Sequence, residues 1–167
     1  GLVRKAMSIY ERAAHSVSEK DRYEMFLYYI AKAAANYGLV ASRPIYEAAI
    51  EILPDRDAVS MCLRFAVLES KLGEMDRARA IYAHASQFCN PKTQTEFWKV
   101  WNNFEIQNGT EDTFREMLRI KRSVQAQYNT DMANVASSVM ASALSSANAA
   151  PDDAASKVTP SDPMAMV

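Results

Sequence analysis

The feature that most constrains this chain is a repeat of 36 residues. Ile9-Tyr10, Ile45-Tyr46 and Ile81-Tyr82 are each 36 apart, and one more step reaches Met117-Leu118, again apolar. Ala13, Ala49 and Ala85 keep the same step, as do Arg43, Arg79 and Arg115. Upstream in each period, Phe65, Leu68, Glu69 and Gly73 match Trp101, Phe104, Glu105 and Gly109. A fixed period of this length means one small unit stacked on copies of itself, because no single unit can bury its own apolar face.

The unit reads as two helices. Phe97, Trp98, Trp101, Phe104 and Glu105 fall on one face at helical spacing, and Gly109 is expected to end that helix in the left-handed conformation. Thr110 then reads as an N-cap, with Glu111 and Asp112 in the following first turn, where the helix dipole favours anions. Gly38, Gly73 and Gly109 mark the turns inside three helix pairs, and Pro54 and Asn90-Pro91 close units. The spacing predicts helices over 2–17, 20–37, 41–53, 56–72, 75–88, 93–108 and 111–128, with no competing strand signal. The expected fold is all-α, a right-handed α-α superhelix of antiparallel helix pairs. Residues 1–128 form the solenoid, with a partial repeat at 1–17 followed by about three pairs. Segment 2–17 has the pattern of a second helix without a first, and Gly1 is not an initiator Met. A start inside a repeat of a longer protein is therefore expected, with an apolar edge for a neighbour to cover.

Composition divides the chain near Tyr128. All 16 aromatic residues precede that point, whereas 17 of the last 39 residues are Ala or Ser. Met132, Val135, Ala136, Val139, Met140, Ala143, Leu144 and Ala147 nevertheless keep helical spacing. An amphipathic helical extension is therefore expected over 129–150, either capping the last repeat or lying in a partner's groove. Three prolines after residue 150 argue for a flexible tail over 151–167.

The residues Trp98, Trp101, Phe104, Glu105 and Gly109 with Arg115, and Phe65, Leu68, Glu69 and Gly73 with Arg79-Ala80-Ile81-Tyr82, resemble the HAT (half-a-TPR) repeat of RNA-processing scaffolds. The resemblance implies an acidic residue late in a first helix meeting an arginine early in the second, hence Glu69 with Arg79 and Glu105 with Arg115. Arg43 would face Ala34, where an acidic residue is expected. Ile45 to Ile50, Arg64 to Glu74 and Phe97 to Thr130 are similar to the C-terminal repeats of a spliceosomal branch of that family. This implies a non-catalytic nuclear scaffold of the nineteen complex that holds spliceosomal proteins together, with a link to transcription-coupled repair. Another RNA-processing complex, or a direct RNA-binding helical repeat, are the alternatives.

The residues themselves argue against several other functions. Lys and Arg number 19 against 20 Asp and Glu, so RNA is not the favoured partner. His15 and His84 each lack the further ligands of a helical metal site, and no phosphate loop or GxSxG turn occurs. No catalytic residue, metal, cofactor or small-molecule substrate is expected, and no membrane span. Cys62 and Cys89 read as small core residues of a reduced protein. The aromatic stripes read as core rather than as base-stacking platforms. Arg115, Arg119 and Arg122, with Lys121, form a short basic stripe that reads first as a solvated face and, as a docking site, as one for an acidic partner or a phosphate backbone.

Overall fold

The computed structural model describes residues 1–149. Seven α-helices account for most of them: α1 (Leu2–Ser16), α2 (Glu19–Tyr37), α3 (Arg43–Ile52), α4 (Asp55–Lys71), α5 (Met75–Ser86), α6 (Thr95–Asn108) and α7 (Glu111–Ala147). No strand occurs among the described residues. Helix starts and stops follow the expected chemistry. Pro44 sits in the first turn of α3, where its missing N–H is unneeded. Thr110 and Thr113 cap α7 reciprocally, the Thr110 N–H donating to Thr113 Oγ1 at 2.8 Å. One short 3-10 turn, Leu39–Ser42, precedes α3, so the helix begins two residues later than its pattern predicts.

Gly38 and Gly73 have φ of 92° and 82°, conformations that favour glycine. Gly109 does not: its φ of −97° with ψ of 178° is extended backbone, which corrects the left-handed expectation. Space requires glycine there instead. A Cβ would lie 2.6 Å from the Glu105 carbonyl oxygen, 2.7 Å from Thr113 Oγ1 and closer still to the Glu105 carboxylate.

Residues 1–128 form one compact unit, in which each helix packs on the next in chain order from α1 to α6. One core cluster joins α2, α3 and α4 through Phe26, Ile30, Ile45, Tyr46, Met61 and Phe65. A second joins α4 to α7 through Cys62, Tyr82, Phe97, Trp98, Trp101 and Met117. Ala49 and Ala85 are fully buried, as small residues at helix crossings allow, while in α1 Ala14 takes that place beside half-buried Ala13. The repeated isoleucines differ: Ile45 is buried, Ile81 half-buried and Ile9 55% exposed.

Two contacts recur at the 36-residue step, and both run from a second helix to the first helix of the following pair. Tyr10 stacks on Tyr29, Tyr46 on Phe65 and Tyr82 on Trp101, with centroids 6.3, 4.9 and 6.1 Å apart. Arg43 grips Glu69 through Nε and Nη2 at 2.7 and 2.8 Å. Arg79 grips Glu105 in the same way at 2.8 and 3.2 Å. The expected pairs Glu69 with Arg79 and Glu105 with Arg115 are therefore corrected. The carboxylate meets the arginine of the preceding unit, and Arg115 instead pairs with Glu111 on its own helix. Nor does Arg43 lack an acid. The step before it places Met7 and Ala33 at the arginine and glutamate positions, both in the first apolar cluster, so the pair is replaced on both sides at once.

The second unit begins at Asn129. Residues 129–147 continue α7 past the helix end expected at 128, because no Gly or Pro interrupts the chain between Thr110 and Asn148. Its apolar side chains are open to solvent, from Val135 at 58% to Met140 at 70%. Ser137 and Ser142 donate to carbonyls one turn back. The tail expected to be flexible, 151–167, lies outside the described residues.

Glu69 and Glu105 have fully buried side chains, so each is costly to strand. Glu105→Ala leaves the Trp101 Nε1–H, 3.2 Å from Glu105 Oε1, without its acceptor and strips Arg79 of its buried partner, with only exposed Asp76 remaining. Urea unfolding followed by circular dichroism should register a loss of roughly 3–5 kcal/mol, above the 0–1 kcal/mol typical of an exposed pair. Trp101→Ala should cost about 3–5 kcal/mol by the same measurement. Arg115→Ala, on an exposed helix surface, should leave the unfolding midpoint unchanged.

Candidate functional site

The repeat-motif residues serve the stack of helices rather than a chemical centre. Leu68, Phe104, Trp98 and Trp101 are buried, and Trp98 Nε1 donates to the Cys89 carbonyl at 3.0 Å, tying α6 to the end of α5. Trp101 lies between the rings of Tyr82 and Trp98. Arg79 also spans Phe104, with its guanidinium carbon 5.8 Å from the ring centroid. Burial of the Tyr46 and Tyr82 hydroxyls raises both above the usual phenol range.

Neither histidine meets a reactive partner. His15 is exposed, its Nδ1 2.8 Å from the Glu11 carbonyl, and His84 stands edge-on to Phe88. Among the described residues no three His, Cys, Asp or Glu side chains gather as a metal site would need, and no helix is long and apolar enough to cross a membrane. Cys62 and Cys89 are buried, and desolvation pushes their thiols up to about 11 and about 12. Nothing there stabilises a thiolate.

The basic stripe on α7 is largely answered by its own helix. Arg115 pairs with Glu111, and Arg119 Nε donates to Glu116 at 2.8 Å, which holds the Glu116 carboxyl below the usual range. Arg122 Nε donates to the Leu118 carbonyl at 3.3 Å, and Lys121 lies over the Trp98 ring at 5.9 Å. The four side chains thus sit among acceptors and an aromatic face, with their charge partly compensated.

Sequence reasoning missed a groove. Between the second helices α3 and α5 lies an open cavity of about 390 Å³, floored by Cys62 and Phe65 of α4 and walled by Ile50 and Ile81. Glu47 and Glu51 of α3 rim one side; Arg77, Ala80 and His84 of α5 rim the other. The available signal was a break in register. The position occupied by Phe26 and Trp98 in the neighbouring units is Cys62 here, a side chain several atoms smaller.

The thiols give a direct check on this burial. Native protein at pH 8 should react with an aromatic disulfide reagent at neither cysteine within minutes, and at both once urea unfolds the chain; absorbance of the released thiolate measures it.

Comparison with known proteins supports the same architecture. The family model described as the pre-mRNA-splicing factor Syf1/CRNKL1 C-terminal HAT repeat matches residues 1–167. The pre-mRNA-splicing factor SYF1 of Mycosarcoma maydis is 70% identical over 143 residues, covering 86% of this chain and 13% of the relative. The syf1 homolog of Drosophila melanogaster is 52% identical over 160 residues, 96% of this chain and 18% of the relative. SYF1 of Rattus norvegicus is 54% identical over 140 residues, 84% and 16%. The chain thus spans less than a fifth of the curated relatives it matches. With stacked helix pairs, repeated cross-unit contacts and a full-length match in hand, the chain belongs to the Syf1/CRNKL1 C-terminal HAT repeat family of pre-mRNA-splicing factors.

Proposed function

We propose that this chain is a non-catalytic stretch of a nuclear splicing scaffold, which aligns spliceosomal proteins without bond chemistry. The observation that carries the reading is the recurrent coupling of each second helix to the next pair, Tyr46 on Phe65 with Arg43 on Glu69, then Tyr82 on Trp101 with Arg79 on Glu105. A helix pair held only by apolar burial can slide or rotate on its neighbour. A bidentate guanidinium on a buried carboxylate, together with a ring stack, fixes both angle and register. The result is a surface on which docking positions keep set separations, so that partners bound to one scaffold meet at high effective concentration. Kinship with pre-mRNA-splicing factors supports the splicing context. The internal compensation of Arg115 and Arg119 supports protein over RNA as the partner.

The experiment is a segment exchange. The corresponding stretch of the full-length Drosophila relative is replaced by this chain, and the hybrid is added to nuclear extract depleted of the endogenous factor. Splicing of a reporter pre-mRNA should return, and a hybrid carrying an unrelated helical repeat of equal length should leave it lost. Full splicing by the unrelated hybrid, or none by this chain, overturns the reading. Filter binding of a short RNA to the isolated chain at two salt concentrations should give no saturable complex.

A further inference from the structure

We propose that the groove between α3 and α5 docks a partner-protein segment that inserts a bulky apolar side chain flanked by a lysine or arginine. The inference rests on the scaffold reading and gives it a specific contact. Three observations carry it. First, the cavity is a local departure from the repeat: Phe26 and Trp98 are buried rings at the position where Cys62 leaves the floor low. The floor and walls, Cys62, Phe65, Ile50 and Ile81, present carbon and sulfur with a thiol as their one weak donor, and the His84 imidazole is the one polar ring of the lining, so an apolar group gains most by entering. In the groove one unit on, between α5 and α7, Ala83, Ile120 and Val124 share the lining with Ser86, Gln87, Arg119, Ser123 and Gln127, so polar groups interrupt the apolar surface there.

Second, the rim carries unbalanced charge. Glu47 and Glu51 lie one turn apart on α3 and face the cavity. The cation opposite, Arg77, is committed elsewhere: its Nε is 3.4 Å from the buried Glu69 carboxylate, while Glu47 is reached only at 3.9 Å. Among the described residues Glu51 has no ion-pair partner. The rim therefore selects a cation beside the apolar group and rejects an anion. Third, the walls are held. Glu69 accepts two hydrogen bonds from Arg43 and forms a looser ion pair with Arg77, so α3, α4 and α5 share one buried carboxylate just behind the groove, and the cavity is formed before any partner arrives.

The test uses the 167-residue chain and hexylammonium as the probe, with hexanoate and hexanol as controls, followed by amide chemical shifts. Hexylammonium should move resonances of α3, α4 and α5 around the groove and bind about fivefold more tightly than hexanoate, the ratio one exposed ion pair supplies. Ala80→Trp, at the exposed rim, should fill the mouth and abolish those shifts. Glu47→Gln with Glu51→Gln should erase the preference for the ammonium while keeping the apolar contact. An unchanged unfolding midpoint keeps both variants interpretable. Shifts that scatter over other helices, survive Ala80→Trp, or appear equally with hexanoate overturn the proposal. In the segment exchange, Ala80→Trp should lower splicing. Full splicing by that variant, alongside full splicing by the unaltered chain, defeats the groove and leaves the scaffold standing.

Discussion

A carboxylate buried between two helix pairs is the constraint on which the rest of this structure depends. Glu69 and Glu105 are taken wholly out of water, and the desolvation that would otherwise expel them is offset because an arginine of the preceding pair supplies two parallel hydrogen bonds. That arginine must reach back at a set angle, so the crossing of α3 on α4 and of α5 on α6 is fixed along with it. The ring stacks of Tyr46 on Phe65 and Tyr82 on Trp101 restrain the same two crossings one turn away. Where the charged pair is missing, between α1 and α2, both members are apolar and the Tyr10–Tyr29 stack remains. Polar and apolar versions of the joint thus coexist along one chain.

The helical architecture was legible because it rests on period and punctuation. Aromatic stripes at helical spacing, glycines at the turns and prolines at unit ends each leave a one-dimensional trace. The partner of each glutamate was not legible, and the reason is arithmetic. In a sequence of fixed period, an arginine ten residues after a glutamate stands as regularly as one twenty-six residues before it. Only the three-dimensional path, in which each second helix lies against the next first helix, distinguishes the two. Gly109 misled for a related reason. A glycine at a helix end usually signals handedness, but here it marks the approach of the Glu105 carboxylate and the Thr113 hydroxyl to the backbone. The continuity of α7 through residue 128 was likewise hidden, since a shift in composition is not a stop signal.

The surface was less legible than the core. The basic stripe of Arg115, Arg119 and Arg122 is conspicuous as a pattern of charges, yet Glu111 and Glu116 on the same helix pair with the first two, and Arg122 donates to a backbone carbonyl. The groove over Cys62 leaves only Glu47 and Glu51 as a charge trace, a pair that any exposed helix face can carry. It emerges only when equivalent positions of successive units are compared and one is found too small. In repeat proteins, departures from the chain's own consensus are more telling about surfaces than the consensus itself, since the consensus serves the stack.

The joint between α3 and α4 also bears on how such a chain can be divided. A helix pair defined by its internal turn, cut after Pro54 and again near Asn90, takes Glu69 away from Arg43 and Arg79 away from Glu105. Cuts that keep both bidentate pairs fall instead within the short turns at Gly73 and Gly109, where a second helix stays with the first helix that follows it, at the loss of the looser Arg77–Glu69 contact. The natural module for expression, grafting or recombination is therefore offset by half a period from the one the eye picks out.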